Sequence, residues 1–378
     1  MARSLRVVFW LSLVLSSNPL IAGTPEKLEG KKRYMELKIK VHIWANVLHD
    51  FDSKGKRLSL SRRQTLKIKE KFPMCEEWEI RRVLADIKKG ERFFLVNSRF
   101  NLNLAIDTEV HRDFTLRSAI TMGDSPYFTV REELYKKERE LEREGAYDGI
   151  IHIERLFRLD ENGELVRVRG GGGFTWGVDD ERKFSGISTW AMTPIGHHST
   201  NFWLFTHEFH HQLDRMFELS GHPEYWFNHF AKPEGTAGPF GEHFDGNAWI
   251  LRTFPEESYH DLKFGQLKYF TDADEDGMPD NEPEFALDEK RFGSLATKPD
   301  SDSDGLTDLE EVLLWQWAEP GLGEELPLSF VEPDPLDKDT DRDGISDGED
   351  LLPLYPVSAV IPEKGDGSWL LLAQGRDG

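Results

Sequence analysis

The chain contains very little cysteine, and this limits how its fold is stabilised. Cys75 is the only cysteine among 378 residues, so an intramolecular disulfide is excluded. A protein of this size must then be stabilised by an apolar core or by bound ions. We interpret Cys75 as a structural or free thiol.

Long apolar runs are also scarce. The one near the start follows two arginines, extends from Val7 to Leu15, and leads to the small residues Ala22 and Gly23. A basic start, a short apolar run and small residues are typical of a secretory signal peptide, and the run is too short to span a membrane. We therefore expect residues 1–23 to be a signal peptide, and the mature chain to be secreted, extracellular or periplasmic, with no membrane span.

The chain has fewer basic than acidic residues, and the acidic excess lies in one segment. The chain has 47 Lys and Arg against 69 Asp and Glu, a formal charge of −22. Residues 272–350 alone hold 27 acidic and five basic residues, so the rest of the chain is balanced. This composition excludes nucleic acid as a partner of the acidic segment, and it requires counter-cations.

The acidic segment repeats one pattern three times. The repeats start at Asp272, Asp300 and Asp339, and each has carboxylates at positions 1, 3, 5 and 9 with glycine at position 6. This pattern matches the oxygen cage that Ca²⁺ takes, with glycine at the sharp turn. The predicted calcium ligands are Asp272, Asp274, Asp276, Asp280, Asp300, Asp302, Asp304, Asp308, Glu311, Asp339, Asp341, Asp343, Asp347 and Asp350.

Position 12, where a bidentate ligand belongs, differs among the three loops. The second loop has Glu311 there, the third has the shorter Asp350, and the first has Pro283 between Glu282 and Glu284. We therefore predict the second loop to be the best single site. The loops resemble the D-x-D-x-D-G calcium repeats of thrombospondin type 3 arrays, which implies a structural or docking module at 266–350. A disordered acidic tail is the alternative, although it would not repeat glycine at position 6.

A second motif, His207-Glu208-Phe209-His210-His211, lies in a segment with helical periodicity. On a helix, His207 and His211 share a face and can bind one zinc ion, while Glu208 can act as general base on an activated water. Asp214 is either a partner that orients a histidine ligand or a solvated residue. We expect the helix to begin near Ser199 and to end before Gly221, with an apolar stripe formed by Phe202, Phe205, Phe209, Leu213, Met216 and Phe217. The alternative is a surface helix with incidental histidines.

A zinc hydrolase site needs a third protein ligand, which can be His, Glu or Asp. The favoured candidate is His243, followed by Asp245 and Glu242, all within one short segment. Other competing residues are His222, His229 and Glu234. His210 is interpreted as a solvated or hydrogen-bonded neighbour and not as a ligand.

The order of elements around the motif suggests a fold. We predict strands at 36–48, 92–97, 102–107, 149–153 and 186–192, helices at 76–88, 130–144 and 306–318, and a strand or frayed end at 369–373. This order, in which strands lead into a glycine-flanked edge segment, then a strand and then the H-E-x-x-H helix, resembles the upper subdomain of zincin metallopeptidases. The resemblance implies an α+β fold with a mixed sheet at residues 24–265, followed by the acidic module and a tail at 351–378. It also implies an edge segment near 170–177 that pairs with an extended substrate.

The resemblance has a limit. Asp214 and Phe217 stand where a metzincin would have glycine and a third ligand, so the chain is not a metzincin by sequence. The resulting prediction is a secreted zinc metallopeptidase that acts on peptides or proteins and carries Zn²⁺ and Ca²⁺. The alternatives are an amidase on a cell-wall or glycan substrate, a calcium-stabilised adhesion protein, and an inactive zincin-like binding protein.

Overall fold

A computed structural model describes most of the chain. The described residues are 30–52, 56–71, 77–112, 114–116, 120–122, 125–127, 147–167, 200–225, 248, 250–318, 329–350, 352–362 and 369–373. Several predictions lie outside them, namely the signal peptide at 1–23, the helix at 130–144, the edge segment at 170–177 and the strand at 186–192.

The longest described strands and helices lie before residue 221, and those after it have six residues or fewer. In chain order they are β1 Lys31–His49, α1 Arg62–Lys69, α2 Glu77–Asn97, β2 Leu102–His111, β3 Phe114–Leu116, β4 Ile120–Met122, β5 Ser125–Tyr127, β6 Gly149–Leu159, β7 Leu165–Arg167, α3 Thr200–Ser220, α4 Glu256–His260, β8 Gln266–Thr271, α5 Glu289–Phe292, α6 Asp308–Leu313, β9 Gln316–Ala318, β10 Ser329–Val331, β11 Val357–Pro362 and β12 Trp369–Ala373.

The long strand β1 organises a mixed sheet of six described strands. The sheet order is β2-β1-β6-β7, in which β1 is parallel to β2 and β6, and β7 is antiparallel to β6. Strand β3 pairs in parallel with the end of β1, and β8 pairs antiparallel with its start. This mixed architecture with several helices is compatible with the predicted α+β class.

One face of the sheet packs on α2 and α3. Because side chains alternate along a strand, the odd-numbered residues of β1, such as Ile39 and Val41, point to this face and share one apolar cluster with both helices. The helices approach closely at Gly90, where a Cβ atom would overlap the ring of Phe205. Gln212 fixes α3 to the sheet because its amide donates to the carbonyl oxygen of Ile150 at 3.1 Å.

A second apolar cluster joins the sheet region to the acidic segment. Its members from the first half lie on β1, on α2 and just after it, and its members from the second half lie on the strand Gln266–Thr271 and between 278 and 312. They are Tyr34, Leu95, Val96, Phe100, Phe270, Met278, Phe285, Leu287 and Val312. Residues 266–271 form β8 of the main sheet, so the acidic segment continues directly from a sheet strand.

The predicted elements compare unevenly with the structure. The strands at 36–48, 102–107 and 149–153 are confirmed, and each is longer than predicted. The strand at 92–97 is wrong, because α2 continues to Asn97. Its apolar run is buried by two clusters, Phe93 and Phe94 in one and Leu95 and Val96 in the other, so a helix buried on several sides reads like a strand.

The later predictions are confirmed in part. The helix at 306–318 is shorter than predicted, since α6 covers Asp308–Leu313 and a strand follows. Residues 369–373 form a strand, β12, which pairs antiparallel with β11. Among the described residues, no helix combines the length and the apolar character that crossing a membrane requires.

Candidate metal sites

Helix α3 carries the H-E-x-x-H motif and has the bounds that the sequence predicted. It covers Thr200–Ser220, and Gly221 ends it in the left-handed region with φ 102°. The N–H of His222 donates to the carbonyl oxygen of Phe217 at 2.9 Å, and that of Gly221 donates to Glu218 at 3.1 Å. These two bonds are the Schellman pattern that closes a helix with glycine at C′.

Among the described residues of the motif, Glu208, Phe209 and His210 are buried and His211 is partly exposed. Phe205, Phe209 and Leu213 belong to the core cluster, while His211 is partly exposed and its Nδ1 lies 3.6 Å from Oδ2 of Asp214. Asp214 is 7% exposed and lies beside His211 at ion-pair distance, which is longer than a hydrogen bond. Glu208 is only 2% exposed, so its carboxyl group is withdrawn from bulk water beside the two histidine positions of the helix.

His210 belongs to the core and not to the partly exposed side of α3 that carries His211. Its Nδ1–H donates to the carbonyl oxygen of Thr206 at 3.2 Å, and its ring packs 5.1 Å from that of Phe94. Burial lowers the pKa of His210 to about 3, so this imidazole is neutral. This agrees with its interpretation as a hydrogen-bonded neighbour.

The predicted third zinc ligands, His243, Asp245 and Glu242, lie outside the described residues, as do His229 and Glu234. Among the competing candidates, His222 is described. Its Nδ1 lies 3.5 Å from Oε1 of Glu224, and its ring lies 5.5 Å from that of Tyr225.

The sheet brings together a second group of possible transition-metal ligands that the sequence did not reveal. The ligand atoms of His42, Glu109 and His111 lie within 4.8 Å of one another. His42 Nδ1 is 2.8 Å from His111 Nε2, and the Glu109 carboxylate oxygens lie 3.9 Å and 3.6 Å from these two nitrogens. The group forms because parallel pairing places His42 opposite Glu109 and Trp44 opposite His111.

This sheet group is separate from the motif on α3. His42 is an even-numbered residue of β1 and points to the face opposite α2 and α3. Trp44 stacks on His111 with ring centroids 3.9 Å apart, and Lys40 lies 3.4 Å from Glu109. Lys40 thus partly balances the charge of Glu109. Because the sheet separates this group from α3, the group cannot share an ion with His211.

The three acidic loops have one conformation. In each, the carboxylates at positions 1, 3 and 5 offer oxygens within 4.8 Å of one another. Position 6 is a glycine with φ between 98° and 112°, and its N–H donates to the position 1 carboxylate at 2.9–3.2 Å. The position 5 carboxylate accepts from the N–H of position 7 at 2.7–2.9 Å. The structure therefore gathers nine of the predicted calcium ligands into three groups, Asp272 with Asp274 and Asp276, Asp300 with Asp302 and Asp304, and Asp339 with Asp341 and Asp343.

The aspartates at position 9 bind the chain of their own loop. Asp280, Asp308 and Asp347 each accept from the N–H of position 2 at 2.8–3.0 Å. In the second and third loops the other oxygen accepts from the hydroxyl of Ser301 or Thr340 as well. These three side chains hold the loop closed, whereas positions 1, 3 and 5 supply the oxygens that converge.

Successive loops are connected by one repeated hydrogen bond. Oδ2 of Asp276, at position 5 of the first loop, accepts from the N–H of Leu309, at position 10 of the second, at 3.0 Å. Oδ2 of Asp304, at position 5 of the second loop, accepts from the N–H of Gly348, at position 10 of the third, at 2.7 Å. The loops are therefore stacked as an array with an equivalent contact at each step.

Position 12 of the second and third loops also faces inward. Glu311 is 1% exposed, and its Oε1 has no hydrogen-bond partner among the described residues. Burial and the neighbouring aspartates raise the pKa of Glu311 to about 9. In the third loop, Asp350 accepts from the N–H of Leu352 at 2.9 Å through Oδ1, and its Oδ2 has no such partner in the described region.

One further carboxyl group lies by the first loop, where position 12 is Pro283. Glu289, on α5, is 0% exposed. Burial first, then the charges of Asp274, Asp276 and Asp280, raise the pKa of Glu289 to about 8. The sequence did not indicate this residue, because it stands well beyond the loop that it faces.

The function must be inferred from these sites themselves. No protein-family model, no curated protein and no solved structure matches the chain.

Proposed function

We propose that the chain is a zinc-dependent hydrolase that cleaves peptide bonds, with His207 and His211 as zinc ligands and Glu208 as general base. The observation that carries the proposal is the position of the motif on α3. The opposite face of this helix is fixed in the core, Glu208 is buried, and His211 has a carboxylate partner in Asp214. Two imidazoles from one helix with a nearby glutamate are a donor set that suits zinc. The third ligand is proposed among His243, Asp245 and Glu242.

Zinc bound there would supply a Lewis acid and an activated water. The chain's own residues would do the proton chemistry. Glu208 would take a proton from the attacking water and pass it to the leaving amine. Because Glu208 is shielded from bulk water, its carboxyl group would exchange that proton with the reactants and not with solvent. Asp214 would hold the imidazole of His211 in one tautomer.

An edge strand favours a peptide as the substrate. In the described sheet, β7 is the terminal strand of the order β2-β1-β6-β7 and pairs only with β6. Since no strand pairs with its other side among the described residues, we propose that the backbone of an extended substrate adds there. An amidase on a cell-wall or glycan substrate is the alternative, and a parallel screen of peptide and glycan substrates separates the two.

Zinc content tests the location of the metal. We expect about one zinc per chain, by elemental mass spectrometry, in the wild type and in His42→Ala, and a loss of zinc in His211→Ala. His42→Ala is the matched control because it removes a histidine of the sheet group. Zinc lost from His42→Ala and retained in His211→Ala would assign the ion to the sheet and contradict the proposal.

Hydrolysis tests the general base. We expect Glu208→Gln to retain zinc and to lose about 10²–10⁴-fold in the rate of peptide cleavage. Glu218→Gln, an exposed glutamate on the same helix, should be unaffected. A wild type that binds zinc but cleaves neither peptides nor glycans would be an inactive zincin-like binding protein.

We also propose that the three acidic loops bind calcium. The specific observation is the convergence of position 1, 3 and 5 carboxylates in three loops of equal geometry, together with the buried Glu311 at position 12 of the second. Calcium prefers six to eight such oxygens. The role of the three loops would be structural. The alternative function for the whole chain, a calcium-stabilised adhesion protein, would use the loops in the same way.

A further inference from the structure

The first acidic loop contains several buried carboxylate oxygens that the chain leaves unpaired. Among the described residues, neither oxygen of Glu289 has a hydrogen-bond partner, and the same holds for Oδ1 of Asp272 and Oδ2 of Asp274. Glu289 is 0% exposed and Asp272 is 1% exposed. A buried carboxylate without a partner strongly disfavours folding, so an oxygen arrangement of this kind requires a cation.

The backbone holds Glu289 against this loop. Its N–H donates to the carbonyl oxygen of Pro279 at 3.0 Å, so the first residue of α5 is hydrogen-bonded to position 8 of the loop. The side chain of Asp288 caps α5 by accepting from the N–H of Arg291 at 2.8 Å. Glu289 is consequently fixed beside the loop by backbone contacts, and its side-chain oxygens take no part in them.

Protonation does not remove the difficulty. A protonated carboxyl group is neutral, but its O–H is a donor that needs an acceptor of its own, and Glu289 makes no hydrogen bond through either oxygen in the described structure. Among the described residues, no lysine or arginine donates to either oxygen of Glu289. Lys32 contacts Oδ2 of Asp272 at 3.0 Å, which leaves Oδ1 of the same carboxylate open to another cation.

We propose that Glu289 completes the first loop as a calcium ligand, in place of the position 12 residue that Pro283 cannot supply. The cage would consist of Asp272, Asp274 and Asp276 from the loop and Glu289 from α5. This inference rests on the proposed calcium binding of the three loops. It makes the first loop a composite site, whereas the second loop draws Glu311 from within its own twelve residues.

The composite site would join four parts of the fold. Asp272 donates its N–H to the carbonyl oxygen of Gly30 at 3.1 Å and directly follows β8, which pairs with β1. Asp276 accepts from the N–H of Leu309 on α6, and Glu289 belongs to α5. A single ion in this cage therefore ties the edge of the main sheet to the start of the acidic segment.

The test uses the full-length protein and Ca²⁺ itself. Calcium titration by calorimetry and thermal unfolding with and without chelator are measured for the wild type, for Glu289→Gln, and for Glu284→Gln as control. Glu284 is an exposed glutamate next to position 12, so its substitution removes the same charge without entering the cage. The amide in Glu289→Gln keeps the size of the side chain while removing the charge.

We expect Glu289→Gln to weaken one of three calcium sites by about tenfold or more and to leave the other two unchanged. The Tm should move in opposite directions, lower than wild type with calcium and higher without it, because the substitution removes a ligand in one case and, in the other, an ionisable group whose burial is unfavourable. A merely structural glutamate would lower both. Three unchanged affinities, or a Tm lowered equally in both conditions, would overturn the inference while leaving calcium binding intact. A wild type that binds no calcium would instead overturn the calcium proposal itself.

Discussion

The sheet region and the acidic segment are stabilised in opposite ways. Helices α2 and α3 cover the sheet through a large apolar cluster. In the described part of 272–350, four apolar side chains other than prolines are buried, Met278, Phe285, Leu287 and Val312, against six carboxyl groups, Asp272, Asp288, Glu289, Asp308, Glu311 and Asp347. The first region can fold by removing apolar surface from water, while the second brings together charges that repel unless cations neutralise them.

Removing calcium should have the largest effect and should separate the two regions. Each site at a calcium concentration of about 100 Kd contributes about 2.7 kcal/mol, so three sites outweigh any single core substitution. We expect a chelator to expose the amides of 272–350 to hydrogen exchange, while those of α2 and α3 stay protected. Because the chelator also binds zinc, the control is His211→Ala, which should respond equally. Equal loss of protection in both regions would show that the sheet region and the acidic segment depend on calcium to the same extent.

A substitution in the apolar core should destabilise the sheet region by an amount that does not depend on calcium. Phe205→Ala removes a fully buried ring that fits against Gly90, and we expect a loss of about 3–5 kcal/mol in the free energy of unfolding. The loss should be the same with and without calcium. Leu66→Ala, at an exposed position on α1, is the control and should change little. Chemical denaturation under both conditions provides the measurement, and a calcium-dependent loss would contradict it.

The pH dependence should appear only in the calcium-free protein. Burial is the main cause that raises the pKa of Asp302 to about 6, Asp276 to about 7, Glu289 to about 8 and Glu311 to about 9. A carboxyl group with a raised pKa keeps a proton in the folded state that the unfolded chain has already released near pH 4. Stability therefore falls as the pH rises through this window.

We accordingly expect the Tm of the calcium-free protein to fall between pH 5 and pH 9, by several degrees. Saturating calcium should remove most of the fall, since binding favours the ionised carboxylates. Thermal unfolding across the pH range measures the slope, and Glu311→Gln should reduce it in the absence of calcium. A Tm that rises with pH would reverse the sign and contradict the argument.

The smallest effect should come from Asp214 and should leave stability nearly unchanged. We expect Asp214→Asn to weaken zinc binding by about 10–100-fold, because the amide orients the His211 imidazole less well. Competition with a chromophoric chelator measures the affinity. Glu218→Gln, one turn further along α3, should bind zinc as tightly as the wild type, and an equal loss in both variants would point to a general effect on the helix.

Local patterns in the sequence were enough to predict part of this molecule. The bounds of α3 follow from a three- and four-residue apolar spacing and a glycine, and the loops follow from carboxylates around a glycine turn. Both signals lie within some twenty residues. The sheet group was missed because it depends on the register of β1 with β2, which pairs His42 with Glu109, and neither residue lies in a recognisable motif.

Glu289 was missed for a related reason. The loop pattern places a ligand at position 12, which is Pro283 in the first loop. The ligand that we propose comes instead from the next helix, α5. The prediction of a strand at 92–97, the end of α2, was wrong for a different reason. A short apolar run fits a buried helix and a buried strand equally well. Sequence patterns indicated the chemistry of each local segment, and tertiary packing decided which distant residue joined it.

The hydrogen bonds between successive loops have a consequence for how calcium would load. In Asp276 and in Asp304, Oδ1 accepts an N–H of its own loop and Oδ2 accepts an N–H of the next loop. Filling one loop would fix the carboxylate that receives its neighbour, so each occupied site prepares the adjacent one. A linear array coupled in this way behaves as a nearest-neighbour chain, and its calcium isotherm would be steeper than that of three independent sites.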